Sequence, residues 1–345
     1  MRLDAAQLPA QVKQKLAPAY LVAGDEVLLV EECCAAIRAQ ALAQGYERNQ
    51  YTVESGFDWN ALFADYYSPS LFSPRSLFEV RLPTGKPGDT GAKMLVQLLE
   101  NPPAHALLLV IAPKLDKTAL QSAWVNAVAE RGVVVTVWPL DAARWREWLT
   151  QRLRARGVHA HPDAVQQLAY HMEGNLLACA QEIDKLALLY GNQTVQAEDI
   201  AASLSDNSRF TIYSWVDACL AGDAGEALRK LARVRSDGTE PILLLWAFAR
   251  EARTLARMAR AVADGQNIAQ VVQSHGVWTQ RKPLVTQALR RVKPAQWLRL
   301  IQDCARADRV LKGRAVADVG DIDFVLEQLT LACCNVRTPI AAITR

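Results

Sequence analysis

The feature that most constrains the fold is a change of periodicity near residue 140. Before it, short apolar runs at 20–23, 50–53, 77–81, 106–111 and 133–137 alternate with segments of helical spacing near 26–43, 58–66, 91–100 and 117–129. Asp25, Asp58 and Asp116 fall where helices begin, as N-caps or first-turn residues. Strand, helix, strand repeated in this way predicts a parallel sheet covered by helices on both faces, and several runs are too apolar to have a solvent face. After Pro139 the strands stop. Segments 141–156, 162–172, 175–190 and 196–204 read as four short helices, with Gly157, Gly174 and Gly191 in turn or C-cap positions. A polar, turn-rich stretch at 203–211 then leads into helices near 212–221, 223–235, 241–263, 267–273, 281–291, 294–311 and 321–334. The expected organisation is an α/β domain over 1–140, a small helical domain over 141–210 and an all-α domain over 211–345.

Charge follows these boundaries. Residues 211–345 carry 20 Lys/Arg against 13 Asp/Glu, whereas residues 1–210 carry 19 against 23. A basic module on a slightly acidic body points to nucleic acid or an acidic partner. On the predicted helix 241–263, Arg250, Arg253, Arg257 and Arg260 share a face, and Arg281, Lys282, Arg290, Arg291 and Lys293 flank Trp278 and Trp297. Such stripes line phosphates, and an aromatic beside them stacks a base; a solvated face or a contact between subunits is the plainer use. Leu243, Leu244, Trp246, Leu298, Ile301, Phe324, Leu326 and Leu329 are expected in a core or an interface. No apolar run reaches the ~18 residues that cross a bilayer, and the N-terminus is too polar for a signal peptide, so a cytoplasmic protein without membrane contact is expected. Seven scattered cysteines, two pairs of them adjacent, read as free thiols.

Catalytic chemistry lacks a starting point. In a nucleotide-binding α/β domain the first strand leads into a phosphate loop, which needs glycines for backbone N–H groups, a Lys and a Ser/Thr. Here the turn is Gly24-Asp25-Glu26, and two carboxylates repel a triphosphate. After the run at 106–111, where a metal-holding Asp-Glu would follow, stands Ala112-Pro113-Lys114. Among five histidines only His159 and His161 are close, with no third ligand at metal spacing. GxSxG, HExxH and CxxC are absent. No catalytic residue, metal site or cofactor is expected.

The stretches AYLVAGDEVLLVEE at 19–32, SPSLFSPRSLFEVRLP at 68–83, EGNLLACAQEIDKLALLYG at 173–191 and WVDA at 215–218 resemble the delta subunits of the bacterial DNA polymerase III clamp loader, and the resemblance spans essentially the whole chain. It implies an AAA+-like domain without a phosphate loop, a helical lid and a C-terminal collar. The lid helix opens with Asn175-Leu176-Leu177, where energy-using relatives present an Arg to the nucleotide. Its apolar stripe is Leu176, Leu177, Ala180, Ile183, Leu186 and Ala187. The implied function is a component of the DNA-directed DNA polymerase (nucleotidyltransferase) holoenzyme that grips the sliding clamp and holds one ring interface open, so that the clamp is loaded on primed DNA. The ATP hydrolysis would come from gamma/tau subunits, joined with delta prime through the collar, in a replisome at the nucleoid. The family's clamp-gripping element is a Leu-Phe pair, matched here by Leu71 and Phe72, with Ser70, Pro74 and Arg75 beside them. Ser68 stands where a clamp-binding pentapeptide commonly has Gln. On the residues alone, two other readings stand: an ATP- or GTP-using enzyme with a noncanonical phosphate site, and a stand-alone DNA-binding protein.

Overall fold

The computed structural model describes residues 1–68, 74–204, 208–312 and 322–336. The chain divides into two compact units, Met1–Ala142 and Ala143–Arg345.

In the first unit the order is β1 (Arg2–Asp4), α1 (Leu8–Gln14), β2 (Ala19–Gly24), α2 (Val27–Ala43), β3 (Tyr46–Thr52), α3 (Trp59–Tyr67), β4 (Arg75–Arg81), α4 (Gly88–Glu100), β5 (Ala106–Ala112), α5 (Lys117–Leu120), α6 (Ala123–Arg131) and β6 (Val133–Val137). The six strands form one sheet in the order β1-β6-β2-β5-β4-β3, and every pairing is parallel. Alternate residues of the central strands feed two cores. Leu21, Leu108 and Val110 pack with α3, α4 and α6, while Tyr20, Val22, Leu107 and Leu109 pack with α1 and α2. Burial on both faces is what an all-parallel sheet requires, and it explains why β5 (ALLLVIA) is buried throughout. The edge strand β1 and helix α1 were not expected, because three largely exposed residues and a seven-residue helix are too short to show a period.

Among the described residues the second unit holds no sheet beyond the two-residue parallel pair of β7 (His159–Ala160) and β8 (Thr194–Val195). Around that pair lie α7 (Ala142–Ala155), α8 (Pro162–Met172), α9 (Leu176–Tyr190) and α10 (Ala197–Leu204). There follow α11 (Ser208–Ala221), α12 (Ala224–Ser236), α13 (Pro241–Ala263), α14 (Ile268–Ser274), α15 (Lys282–Arg291), α16 (Pro294–Leu311) and α17 (Ile322–Cys333). Helix α13 is the spine of this part, burying Leu244, Phe248, Leu255 and Met258 among Trp215, Trp297, Leu300 and Leu326. The helix starts follow their caps. Asp58 accepts from the Asn60 and Ala61 amides, Asp116 from Ala119, and Asn175 from Ala178. Asp25 does not cap; Glu26 takes the N-cap position of α2. All seven cysteines are buried and free.

Candidate functional site

Because the sheet is parallel, every turn into a strand lies at one edge and every exit at the other. The turn from β2 into α2, where a phosphate loop would lie, is at the carboxyl edge and contains only Asp25 and Glu26. Gly24 serves packing there: a Cβ on it would sit 2.3 Å from the Val137 carbonyl oxygen of β6. Asp25 Oδ1 accepts from the Lys114 amide at 3.1 Å, which ties the turn to the segment after β5. Burial pushes the Glu26 carboxyl up, against a hydrogen bond from the Leu28 amide. Two residues cannot wrap a triphosphate, and both present carboxylates at the helix N-terminus. A separate groove of about 500 Å³ opens at the same edge between Phe57, Trp59, Thr84 and Lys86, and Glu54, Asp58 and Asp89 also line it. Among the described residues no three His, Cys, Asp or Glu side chains gather as metal ligands, and no helix is long and apolar enough to cross a membrane.

The connection from α3 to β4, which carries the Leu-Phe segment in the sequence, joins β4 at the opposite, amino edge. Ser70, Leu71 and Phe72 fall within 69–73, outside the described residues. The two stems of this connection are described, and both are anchored. On the incoming side the Ser68 amide donates to Ala64 at 3.0 Å, and Ser68 itself is exposed. Behind it Phe63 and Tyr67 lie 4.7 Å apart, Tyr66 and Phe78 lie 5.1 Å apart, and Tyr67 Oη donates to the Gln97 carbonyl. On the outgoing side Pro74 is exposed and Arg75 opens β4. Arg75 Nη1 donates to the Gln44 carbonyl at 3.2 Å, with its guanidinium 5.5 Å from the Tyr46 ring centre. The Ser76 amide donates to the His105 carbonyl at 2.7 Å. The connection is therefore held at both ends by neighbouring elements while its flanks face solvent.

Of the expected basic face, Arg253, Arg257 and Arg260 are exposed on α13. Arg250 is not part of it. Its side chain is 12% exposed, and its guanidinium lies 4.9 Å from both the Tyr170 and Tyr213 ring centres and 5.2 Å from that of Trp246. The position one turn before Arg253 faces α8 and α11, so the shared face ends there. Trp278 and Trp297 are core residues, which removes them as platforms for bases. Leu177, expected in the apolar stripe of α9, is exposed instead, as are Leu243, Trp246, Leu298 and Phe324 of the expected core or interface set.

Two buried charge clusters escaped the sequence reading. Glu79 of β4 is fully buried and pairs with Arg38 of α2 (2.8 and 3.1 Å) and Arg48 of β3 (3.0 Å twice). Arg81 reaches it at 3.1 Å, and Glu31 bridges Arg38 and Arg81. Burial alone would raise the Glu79 carboxyl, but the hydrogen bonds from Arg38 and Arg48 outweigh it and hold the group at about 2. In the second unit buried Arg281 donates to Asp217 (2.8 Å), Glu251 (3.0 Å) and Tyr170 Oη (2.7 Å). Its guanidinium lies 4.1 Å from the Tyr170 ring centre, beside Trp278 and His171. A signal for the first cluster was present: a Glu inside a run expected to be buried on both faces must bring its counter-ions with it.

A parallel α/β unit whose phosphate turn is replaced by two carboxylates, followed by a largely helical unit, defines an AAA+-like protein. Comparison with known proteins gives the particular family. The model of the DNA polymerase III delta subunit matches residues 20–137, and that of the processivity clamp loader gamma complex C-terminal region matches residues 212–339. DNA polymerase III subunit delta of Escherichia coli is 32% identical over 337 residues, covering 97% of both chains. The Haemophilus influenzae subunit is 28% identical over 323 residues, covering 90% of this chain and 94% of its own. The Bacillus subtilis clamp loader delta protein shares the fold, with a TM-score of 0.53 at 17% identity over 96% of this chain and 99% of that one. The chain belongs to the DNA polymerase III delta subunit family of clamp-loader components.

Proposed function

We propose that this chain grips a ring-shaped sliding clamp through Leu71 and Phe72, favours the ring with one interface open, and hydrolyses no nucleotide itself. The observation that carries the reading is topological: a connection bearing two adjacent large apolar residues in its sequence, anchored at both stems, enters the sheet at the edge opposite a phosphate turn that holds only carboxylates. The resemblance of that segment to the family's clamp-gripping element supports the same assignment. Fuel would come from ATP-hydrolysing gamma/tau companions, assembled with delta prime and this chain through a collar formed by residues 211–345 and acting on primed DNA. The three-part division at 140 and 210 and a cytoplasmic, replisome-associated location belong to the same proposal.

Burying a Leu and a Phe contributes about 3–6 kcal/mol together, too little for a tight complex without further contacts, which this reading assigns to Pro74 and Arg75 beside the pair. Affinity alone opens nothing. A ligand that binds open and closed rings equally shifts no equilibrium, so the segment must engage a clamp surface that differs between the two states. The test is a pull-down with the cognate clamp, comparing wild type with Leu71→Ser/Phe72→Ser, each checked for folding by circular dichroism. The proposal expects the variant to fold and lose the clamp; a folded variant that retains it overturns the assignment.

A further inference from the structure

A buried cysteine is inert unless something beside it favours the thiolate, and one of the seven has such a neighbour. Cys334 directly follows α17, where Asn335 turns to a φ of 63° and the Asn335 and Val336 amides close back on the Ala332 and Leu331 carbonyls. Its Sγ donates to the Cys219 carbonyl of α11 at 3.7 Å, and the two thiols lie within hydrogen-bonding reach of each other. Arg291 of α15 closes the third side. Its Nη2 donates to the Cys219, Leu220 and Cys333 carbonyls at 3.1, 2.8 and 3.5 Å, so one guanidinium spans the ends of α11 and α17. Gly222 makes the room, since a Cβ there would lie 2.7 Å from Arg291 Nη1. Nε and Nη1 of the same guanidinium are buried with no hydrogen-bond partner among the described residues. A cation so placed favours an anion beside it, and the Cys334 thiol is the group within reach. Burial pushes the other six thiols up. Cys334 is instead drawn down from its ordinary value by the hydrogen bond with Cys219, which prevails over burial with the Arg291 charge in support and Asp223 opposed.

We infer that Cys334 and Cys219 are a peroxide-sensitive thiol pair, which closes reversibly into a disulfide that fastens the end of α17 to α11. The Cys334 thiolate attacks one oxygen of hydrogen peroxide. The O–O bond breaks, the leaving hydroxide takes up the proton given up by the thiol and departs as water, and Cys334 is left as a sulfenic acid. The Cys219 sulfur then attacks the Cys334 sulfur, the hydroxyl leaves with the Cys219 proton as a second water, and the S–S bond forms. The two thiols lose two electrons and the peroxide gains them. A dithiol reductant reopens the bond by exchange. Cys333 is unsuited to the role: neighbours on a helix point about 100° apart, so a bond to Cys334 would be strained. Peroxide reaches Cys334 when the last turn of α17 loosens, and helix ends open before cores do.

The test is on the full chain, reduced and then exposed to a small excess of hydrogen peroxide, beside a urea-denatured control whose thiols the same dose consumes. Free thiols are counted by alkylation, and linked peptides are read by mass spectrometry without reduction. The inference expects the folded wild type to lose two of its seven free thiols, to show one link, between the peptides of Cys219 and Cys334, and to recover all seven in dithiothreitol. Cys219→Ala and Cys334→Ala, each first shown by its melting to be folded, separate the roles. Cys219→Ala should form no link and leave on Cys334 a sulfenic acid that dimedone traps, whereas Cys334→Ala should form neither. The closed loop spans 115 residues, so the oxidised wild type should melt about 5–15 °C above the reduced form, with no such rise for Cys219→Ala. A folded wild type that keeps all seven thiols, a link through any other pair, a bond only between two chains, or a link that leaves melting unchanged overturns the inference. So does a sulfenic acid that forms in Cys219→Ala on any cysteine but Cys334.

Discussion

Glu79 shows how much a single buried charge decides. Its carboxylate accepts from three guanidiniums, so Glu79→Gln leaves Arg48 without its counter-ion and Arg38 and Arg81 with only the half-exposed Glu31. Removing one partner of a buried pair costs about 3–5 kcal/mol; with Arg48 and Arg81 partly in solvent and Glu31 still in place, denaturant unfolding of the first unit should shift by less, about 1–3 kcal/mol. The same residue sets an acid limit. Its folded pKa of about 2 lies below the ordinary carboxylate value, so its contribution is complete above about pH 4.5 and is lost as the pH falls toward 2. His171 sets a second limit in the other unit. Burial, reinforced by the charges of Arg281 and Arg250, lowers its pKa to about 3, so the folded unit keeps the ring neutral. The unfolded chain takes up a proton near pH 6.5 that the folded unit refuses. Stability should therefore fall as pH drops from 6.5 toward 3, by about 1.4 kcal/mol per pH unit, visible as a falling urea midpoint between pH 7 and pH 5. The Glu inside a buried run signals the first cluster, but the partners of neither are legible in sequence order, because they are remote: Arg281 and Asp217 are 64 residues apart and Glu79 and Arg38 are 41 apart.

At the scale of elements, the two periodicities carried most of the architecture. Five of the six strands of the sheet and the helices from α7 to α17 follow from apolar spacing and turn residues, because long amphipathic segments repeat their signal. What stayed hidden was short or depended on what came to lie beside it. The WVDA stretch marked kinship, yet only the fold shows that its Asp217 is a counter-ion for Arg281. Arg250 looked like its neighbours on α13 until α8 and α11 covered its turn. The candidate clamp segment was legible as residues, while the anchoring of its stems by Tyr46, Gln44 and His105 was not. One close approach gives an element-scale test. A Cβ at Gly91 of α4 would lie 2.4 Å from the indole of Trp59 at the start of α3. Gly91→Ala should force that ring aside and cost about 1–3 kcal/mol, read as a lowered melting temperature with a blue- or red-shifted tryptophan emission. As α3 leads directly into Ser68, the same variant should also weaken any partner that the 68–74 connection holds.

The molecule as a whole joins a fold of the nucleotide-binding type to a site where a nucleotide meets carboxylates in place of a phosphate cradle. Titration of the full chain with ATP and magnesium should therefore give no saturable heat, and a tight site would restore the reading of an enzyme with a noncanonical phosphate loop. The charge is divided in the same spirit, with the basic excess on the helices that the gamma-complex C-terminal model matches. The most direct test of the central claim is calorimetric titration of the cognate clamp with this chain in nucleotide-free buffer, using wild type and Leu71→Ser/Phe72→Ser. Wild type should bind without ATP. The variant should bind about 10²- to 10⁴-fold more weakly, the equivalent of the 3–6 kcal/mol carried by two apolar side chains. Equal affinity of the two proteins, or binding by wild type only when ATP is added, would contradict the account.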